Sequence, residues 1–275
     1  MTIDEKYKLL GENIKNSGRV IVAYSGGVDS TFLLRVCIDI LGSKNVLACI
    51  AAGPSLPKSQ LDRAIQMAKN MGAAVQIVEA TELTDTAYSA NKADRCFHCK
   101  SHLFGILNDI AKEKDYGYVA CGSNLDDYDD YRPGNKAVKV FKVRCPLAQA
   151  QLTKKEIRQL SRKLNLPTAD VPASPCLASR ISYGDQITEN KLNQVEQAEE
   201  FLRGLGFAEF RVRHHGQTAR IEVHDEDIAK VILLRRKIVE KLKSLGFKFV
   251  SVDLEGFRSG SLNEMLTQEE KQKNL

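Results

Sequence analysis

Apolar and polar positions follow two different periods along this chain, and the switch between them organises the sequence. Residues 1–18 read as a polar helix and 19–24 as a short, continuously apolar strand. A glycine turn follows, and positions 31–41 carry helical apolar spacing that stops at Gly42. The pattern then repeats, with strands at 46–52, 74–78 and 118–121 and helices at 60–71 and 102–112. Unbroken apolar strands alternating with helices predict an α/β fold built on a doubly wound, mostly parallel sheet. Thr153-Lys154-Lys155-Glu156 is a capping box that opens a helix to Leu164, and Pro167 closes it.

Beyond Pro175 the pattern changes. A helix at 190–205, a hairpin of 210–214 with 219–223, a long helix at 225–245 and a strand at 249–254 predict a smaller C-terminal α+β domain. Leu205-Gly206-Phe207 and Leu245-Gly246-Phe247 form a faint repeat, each ending a helix and leading into a strand. The proline-rich stretch 167–175 is the expected boundary, which gives domains at 1–172 and 173–275.

Composition supports a packed core. Of 275 residues, 43% are hydrophobic and 27% charged, which excludes disordered, collagenous and low-complexity classes. No apolar run approaches the ~18 residues of a membrane span. The first fifteen residues are charged and lack an apolar stretch, so no secretory signal and a cytoplasmic setting are expected. Lysine and arginine number 40 against 35 aspartates and glutamates, and 40 − 35 leaves +5. That excess is too mild to announce a nucleic-acid protein. Seven cysteines is an odd count, which argues for reduced thiols, metal ligation or sulfur chemistry over a disulfide framework.

The turn Ser25-Gly26-Gly27-Val28-Asp29-Ser30 lies between a buried strand and a helix start. Two glycines permit close backbone approach, the helix N-terminus offers N–H groups, and two serines add hydroxyls, which together make an anion site. The spacing matches neither the kinase-type phosphate loop nor the dinucleotide fingerprint.

Among the cysteines, Cys37 and Cys49 fall on apolar faces, Cys121 ends a strand and Cys145 precedes a proline; all four read as packed thiols. Cys96 and Cys99 form a C-x-x-C pair, and Cys176 follows a proline 77 residues after Cys99. Three ligands without a comfortable fourth suit an iron–sulfur cluster with one open iron. A thiol or persulfide relay and a zinc site completed by His98 or His102 are the competing readings.

The loop from Asp126 to Gly134 is acid-rich, and Arg132, Lys136, Lys139, Lys142 and Arg144 follow without an acid between them. Ligands in such sheets bind beyond the carboxyl ends of the strands, so Arg132 is placed to face phosphates. In the strand at 210–214, Arg211 and Arg213 share a face, where two forks can bind one phosphate.

The hexapeptide at 25–30 resembles the pyrophosphate loop of the N-type ATP pyrophosphatases, which include the NAD, GMP and asparagine synthetases and tRNA-thiolating enzymes. The resemblance implies an adenine nucleotide alpha hydrolase-like fold and ATP cleaved between its α and β phosphates. It also implies pyrophosphate held by Ser25, Gly26, Gly27 and Ser30, Mg²⁺ bound with the help of Asp29, and adenine met by the backbone of the strand at 46–52.

Tyr131-Arg132-Pro133-Gly134, Arg211-Val212-Arg213, Arg220-Ile221-Glu222 and the segment 253–260 extend the likeness to the whole chain, which resembles the LarE family of sulfur transferases. That resemblance implies adenylation of the carboxylates of pyridinium-3,5-biscarboxylic acid mononucleotide and their conversion to thiocarboxylates for the nickel-pincer nucleotide. In the family a cysteine at the position of Cys176 can donate its own sulfur. The three-cysteine form, here Cys96, Cys99 and Cys176, is associated with a [4Fe-4S] cluster whose open iron carries exogenous sulfide.

Carried over, Lys100 contacts ATP phosphates or substrate, and Arg180, Arg211 and Arg213 take the substrate's phosphate. Glu199, Glu222 and Asp253 match carboxylates that hold a divalent cation. A small-molecule nucleotide, a sulfide donor and a second copy of the chain are the implied partners, with neither nucleic acid nor membrane. A tRNA-thiolating enzyme and a non-enzymatic nucleotide binder with a zinc site are the alternatives.

Overall fold

A computed structural model describes residues 1–15, 18–128, 132–172, 174–258 and 260–273. In chain order the elements are α1 (Ile3–Lys15), β1 (Val20–Ala23), α2 (Val28–Leu41), β2 (Val46–Ala52), α3 (Lys58–Asn70), β3 (Ala74–Glu79), α4 (Thr86–Ser89) and α5 (Arg95–Glu113). Then come β4 (Tyr118–Cys121), α6 (Gly134–Val140), α7 (Pro146–Gln149), α8 (Lys154–Lys163) and α9 (Glu189–Gly204). The chain continues through β5 (Phe210–His215), β6 (Thr218–Val223), α10 (Asp225–Leu233), α11 (Arg235–Ser244), β7 (Phe249–Val252) and α12 (Gln268–Lys273).

Two compact units result. The first comprises Met1–Glu82 and Cys96–Ser174; the second comprises Leu83–Arg95 and the described residues from Pro175 to Lys273. In the first unit four parallel strands run in the order β3-β2-β1-β4. Val20, Val22, Phe32 and Leu33 pack on one face, and Ile21, Phe104, Leu107 and Val119 on the other. Both faces are covered, which is why the strands show no alternation. The order places β1 between β2 and β4, so a switch point opens at the carboxyl ends of β1 and β4, where α/β sheets bind ligands.

The second unit has a three-stranded sheet, β5-β6-β7, with β5 antiparallel and β7 parallel to β6. Leu202, Val231 and Leu242 from its helices pack with Phe207, Phe210, Val212, Ile221 and Phe247.

Three local expectations differ from the structure. The helix expected at 102–112 begins at Arg95, so Cys96 and Cys99 sit in its first turns and not in a loop. The helix expected at 225–245 breaks at Leu234 (φ −91°, ψ 4°) into α10 and α11, which lets Val231 and Ile238 both reach the core. Leu83–Arg95 belongs with the second unit because Asn91 Nδ2 donates to the carbonyls of Ile181, Ser182 and Asp185, and Arg95 Nη1 donates to Ala178. Asp129, Asp130 and Tyr131 of the acidic loop and Ser259 of the 253–260 motif lie outside the described residues.

Candidate active site

β1 delivers the chain into the glycine turn at the switch point, and three features shape that turn. Gly26 has φ +73°, and a Cβ there would lie 2.6 Å from Ala64 Cβ of α3. Ser25 Oγ and Ser30 Oγ lie 3.1 Å apart, and Gly27 N donates to Ser25 Oγ at 3.4 Å. Gly27 caps α2 without a side-chain hydrogen bond, so the first-turn N–H groups and the positive end of the helix dipole are left for an anion.

Asp29 sits in that first turn. Its Oδ2 is paired with Lys154 Nζ, while Oδ1 is buried without a hydrogen-bond partner among the described residues. A carboxylate oxygen with no protein donor, beside a phosphate-binding turn, is chemically fit to ligate Mg²⁺. The loop after β4 closes the other side. A Cβ on Gly122 would lie 2.8 Å from Ser30 N, so only glycine admits α2 this close.

Sequence reading missed Gly122 and Lys154. Each left a signal: a glycine directly after a buried strand marks close backbone approach, and a lysine at a helix N-terminus opposes the dipole. Arg132 pairs with Asp127 at 3.1 Å, and the Lys100 side chain lies against Gly134.

The cysteines divide by exposure. Cys37, Cys49, Cys121 and Cys145 are buried, Cys96 and Cys99 are half-buried, and Cys176 is exposed; all are free thiols. Burial pushes the Cys37 and Cys49 thiols up to about 12. Cys176 heads a short turn in the second unit, where its carbonyl accepts from Ser179 Oγ at 2.7 Å and Arg180 Nη1 at 3.2 Å. Among the described residues, no three His, Cys, Asp or Glu side chains are gathered to hold a metal ion.

In the second unit the expected phosphate and metal residues are interleaved. Arg180 forks onto Glu199, with contacts of 2.8 and 3.1 Å, and Glu199 Oε1 also accepts from Val212 N. Arg213 forks onto Glu222 at 2.9 and 2.8 Å and also donates to Ser179 O and Ser261 Oγ. Arg220 bridges Glu222 and Asp253. The Glu199 and Glu222 carboxylates are therefore neutralised by guanidinium. Arg211 lies over the Phe257 ring, 4.8 Å from its centroid. Burial, then the charges of Arg180 and Arg213, lower its pKa to about 10. It stays charged at neutral pH, and an anion beside it would relieve that repulsion.

Burial lowers the pKa of both His214 and His215, with Lys191 adding to the effect on His214 and Arg220 and Arg213 to that on His215. The folded pKa values lie below the unfolded value of about 6.5, so the unfolded chain takes up protons first. The stability of the second unit is therefore full above about pH 6.5 and falls as the pH drops through it. Denaturant midpoints at pH 7.5 and 5.5 check this, and a higher midpoint at pH 5.5 contradicts it.

Comparison with known proteins fits this geometry. Residues 2–103 match the family model described as NAD synthase. An uncharacterized protein of Synechocystis is 42% identical over 96% of this chain and 99% of its own length. The pyridinium-3,5-bisthiocarboxylic acid mononucleotide synthase of Lactiplantibacillus plantarum is 37% identical over 97% of this chain and 96% of its own. A tRNA-specific 2-thiouridylase of Thermoanaerobacter pseudethanolicus is more distant, at 26% identity over 68% of this chain and 62% of its own.

Proposed function

Because this chain belongs to the family of the pyridinium-3,5-bisthiocarboxylic acid mononucleotide synthase, we propose that it makes the same kind of product, an ATP-dependent thiocarboxylate on a pyridinium mononucleotide. In this reading it serves nickel-pincer nucleotide biosynthesis. The observation that carries it is the glycine turn: Gly26 under α3, an open α2 N-terminus and the half-paired Asp29 at the sheet switch point.

The chemistry follows in two displacements. A substrate carboxylate oxygen attacks the α-phosphorus of ATP, and pyrophosphate leaves. A sulfide sulfur then attacks the activated carbonyl carbon, and AMP leaves with the carboxylate oxygen. Where a cysteine thiolate attacks instead, the product is a thioester, and β-elimination must break its Cβ–S bond to leave the thiocarboxylate and dehydroalanine. Ser25, Gly27 N–H, Ser30 and the α2 dipole hold the leaving pyrophosphate, and Lys154 fixes Asp29. Mg²⁺ held through Asp29 supplies charge neutralisation at the phosphates. Lys100 and Arg132 line the same end of the sheet, and the β2 backbone meets adenine.

Arg211 faces the substrate's phosphate. Arg180 and Arg213 are neutralised by Glu199 and Glu222, and any divalent cation in the second unit falls to Asp253, which pairs with Arg220 and accepts from the Glu255 amide. Cys96, Cys99 and Cys176 handle the sulfur, whether on a [4Fe-4S] cluster or as thiols; their exposure, set against four buried cysteines, supports that division. In this reading a sulfide donor is a partner, the setting is cytoplasmic and the chain is a homo-oligomer. No described helix is long and apolar enough to cross a membrane.

The test is product analysis. With the biscarboxylate mononucleotide, ATP and Mg²⁺, pyrophosphate and AMP should form, and chelating Mg²⁺ should abolish both. ADP and phosphate as products, or pyrophosphate release indifferent to the mononucleotide, would overturn the reading.

A further inference from the structure

Two buried thiols that the sulfur chemistry does not use stand side by side at the nucleotide loop. Cys121 is the last residue of β4, and the chain at Arg144 runs parallel to it: Arg144 N donates to Val119 O and Cys121 N to Arg144 O, both at 2.9 Å. The register sets Cys145 beside Cys121, with their sulfurs 3.5 Å apart and Ser123 Oγ 3.5 Å from the Cys121 sulfur. Neighbouring strands lie ~4.8 Å apart, inside the ~4.4–6.8 Å Cα separation that a disulfide needs.

The two thiols are also chemically unlike. The Cys145 thiol hydrogen-bonds Cys121, and with Ser123 and the Lys100 charge this lowers the Cys121 pKa, while the Cys145 pKa is raised. One sulfur is thus the readier nucleophile and the other its resolving partner.

The next residue makes the pair consequential. Gly122 meets α2 with no slack, since a Cβ there would sit 2.8 Å from Ser30 N and 3.1 Å from Ser30 Cα. Closing the sulfurs from 3.5 Å to a bond reorients both side chains, and any accompanying movement of the β4 end passes through Gly122 to Ser30.

We propose that Cys121 and Cys145 are an oxidation site that disables the nucleotide loop: a hydroperoxide joins them as a disulfide, and movement of the β4 end passes through Gly122 to Ser30 and Asp29. The step balances. The Cys121 thiolate attacks a peroxide oxygen and becomes a sulfenic acid, with water leaving. Cys145 sulfur then displaces the second oxygen as water, so two thiols and one hydrogen peroxide give one disulfide and two waters. A dithiol reductant reverses it.

The test treats the reduced full chain with hydrogen peroxide. Mass spectrometry after alkylation in denaturant reads the disulfide, and equilibrium titration reads ATP affinity. The expected result is a Cys121–Cys145 linked peptide and an ATP affinity lowered roughly ten- to a hundredfold, the scale of an ångström-sized misplacement, restored by dithiothreitol. Cys145→Ser should bind ATP like the parent chain and ignore peroxide. A chain lacking Cys96, Cys99 and Cys176 should still lose affinity, which separates this pair from the exposed thiols.

Should Cys145→Ser fail to fold, phenylarsine oxide on the native chain replaces it, since an arsenical bridging both sulfurs should lower ATP affinity reversibly. Full alkylation of both cysteines after peroxide, or a disulfide that leaves ATP affinity unchanged, overturns the proposal. The affinity readout rests on the nucleotide reading of the loop; a reduced chain that never binds ATP would sink that reading, while the linked peptide reports on the thiols alone.

Discussion

Replacing Arg213 with methionine should cost the second unit about 3–5 kcal/mol, the range for leaving one member of a buried ion pair behind. Glu222 is fully buried and takes both forks of Arg213, with Arg220 Nη2 as its one further side-chain donor among the described residues. Methionine keeps the apolar stem but leaves Glu222 Oε2 without a donor and removes the partners of Ser179 O and Ser261 Oγ. Against the ~5–15 kcal/mol that a domain has in total, the loss is a large fraction. Calorimetry should show the transition of the second unit falling by roughly 10 °C or more.

The double variant Arg213→Met with Glu222→Met separates the causes. It removes the orphaned charge as well, and apolar replacement of a whole buried pair is often near neutral. Most of the lost stability should return. A single variant within about 1 kcal/mol of the parent, or a double variant no better than the single, would show that the pair does not hold the sheet.

This pairing also marks where sequence reading stopped. Alternation in β5 placed Arg211 and Arg213 on one face correctly, because a two-residue period is local. What lies across the sheet is not local. The β5–β6 register sets Arg211 opposite Glu222 and Arg213 opposite Arg220, and the fork from Arg213 reaches Glu222 along a diagonal. Residues that read as separate phosphate and metal ligands neutralise one another.

The first unit was more legible for the same reason. An apolar strand, two glycines and a helix start adjoin in sequence, so the turn at 25–30 declared its own geometry. Lys154 and Asp29, 125 residues apart, did not. Nor did the Cys121–Cys145 pair, because a strand end and a pre-proline cysteine give no sign of shared register. The assignment of Leu83–Arg95 to the second unit rests on Asn91 and Arg95 side chains bonding carbonyls 83–94 residues ahead, a reach no periodicity encodes.

Gly26→Ala should remove ATP binding. Two penalties combine at this position. The left-handed backbone at φ +73° costs an alanine about 1–2 kcal/mol. The new methyl would also lie 2.6 Å from Ala64 Cβ and 3.1 Å from Ala64 Cα, so the obstruction includes helix backbone and no rotamer change relieves it. Overpacking of this kind costs about 1–3 kcal/mol. The chain can escape only by moving the turn, and the turn is the site: Ser25, Gly27 N–H and Ser30 lose their common focus.

Because 2.7 kcal/mol corresponds to about a hundredfold in affinity, a loss of at least that size is expected in an equilibrium ATP titration, while the unfolding transition of the second unit stays in place. Adding Ala64→Gly removes the obstruction but leaves the backbone penalty, so the double variant should regain part of the affinity and not all of it. Full recovery would mean that the overlap alone mattered. Binding by Gly26→Ala within about threefold of the parent, a difference under ~1 kcal/mol, would mean that the phosphates do not sit in this turn.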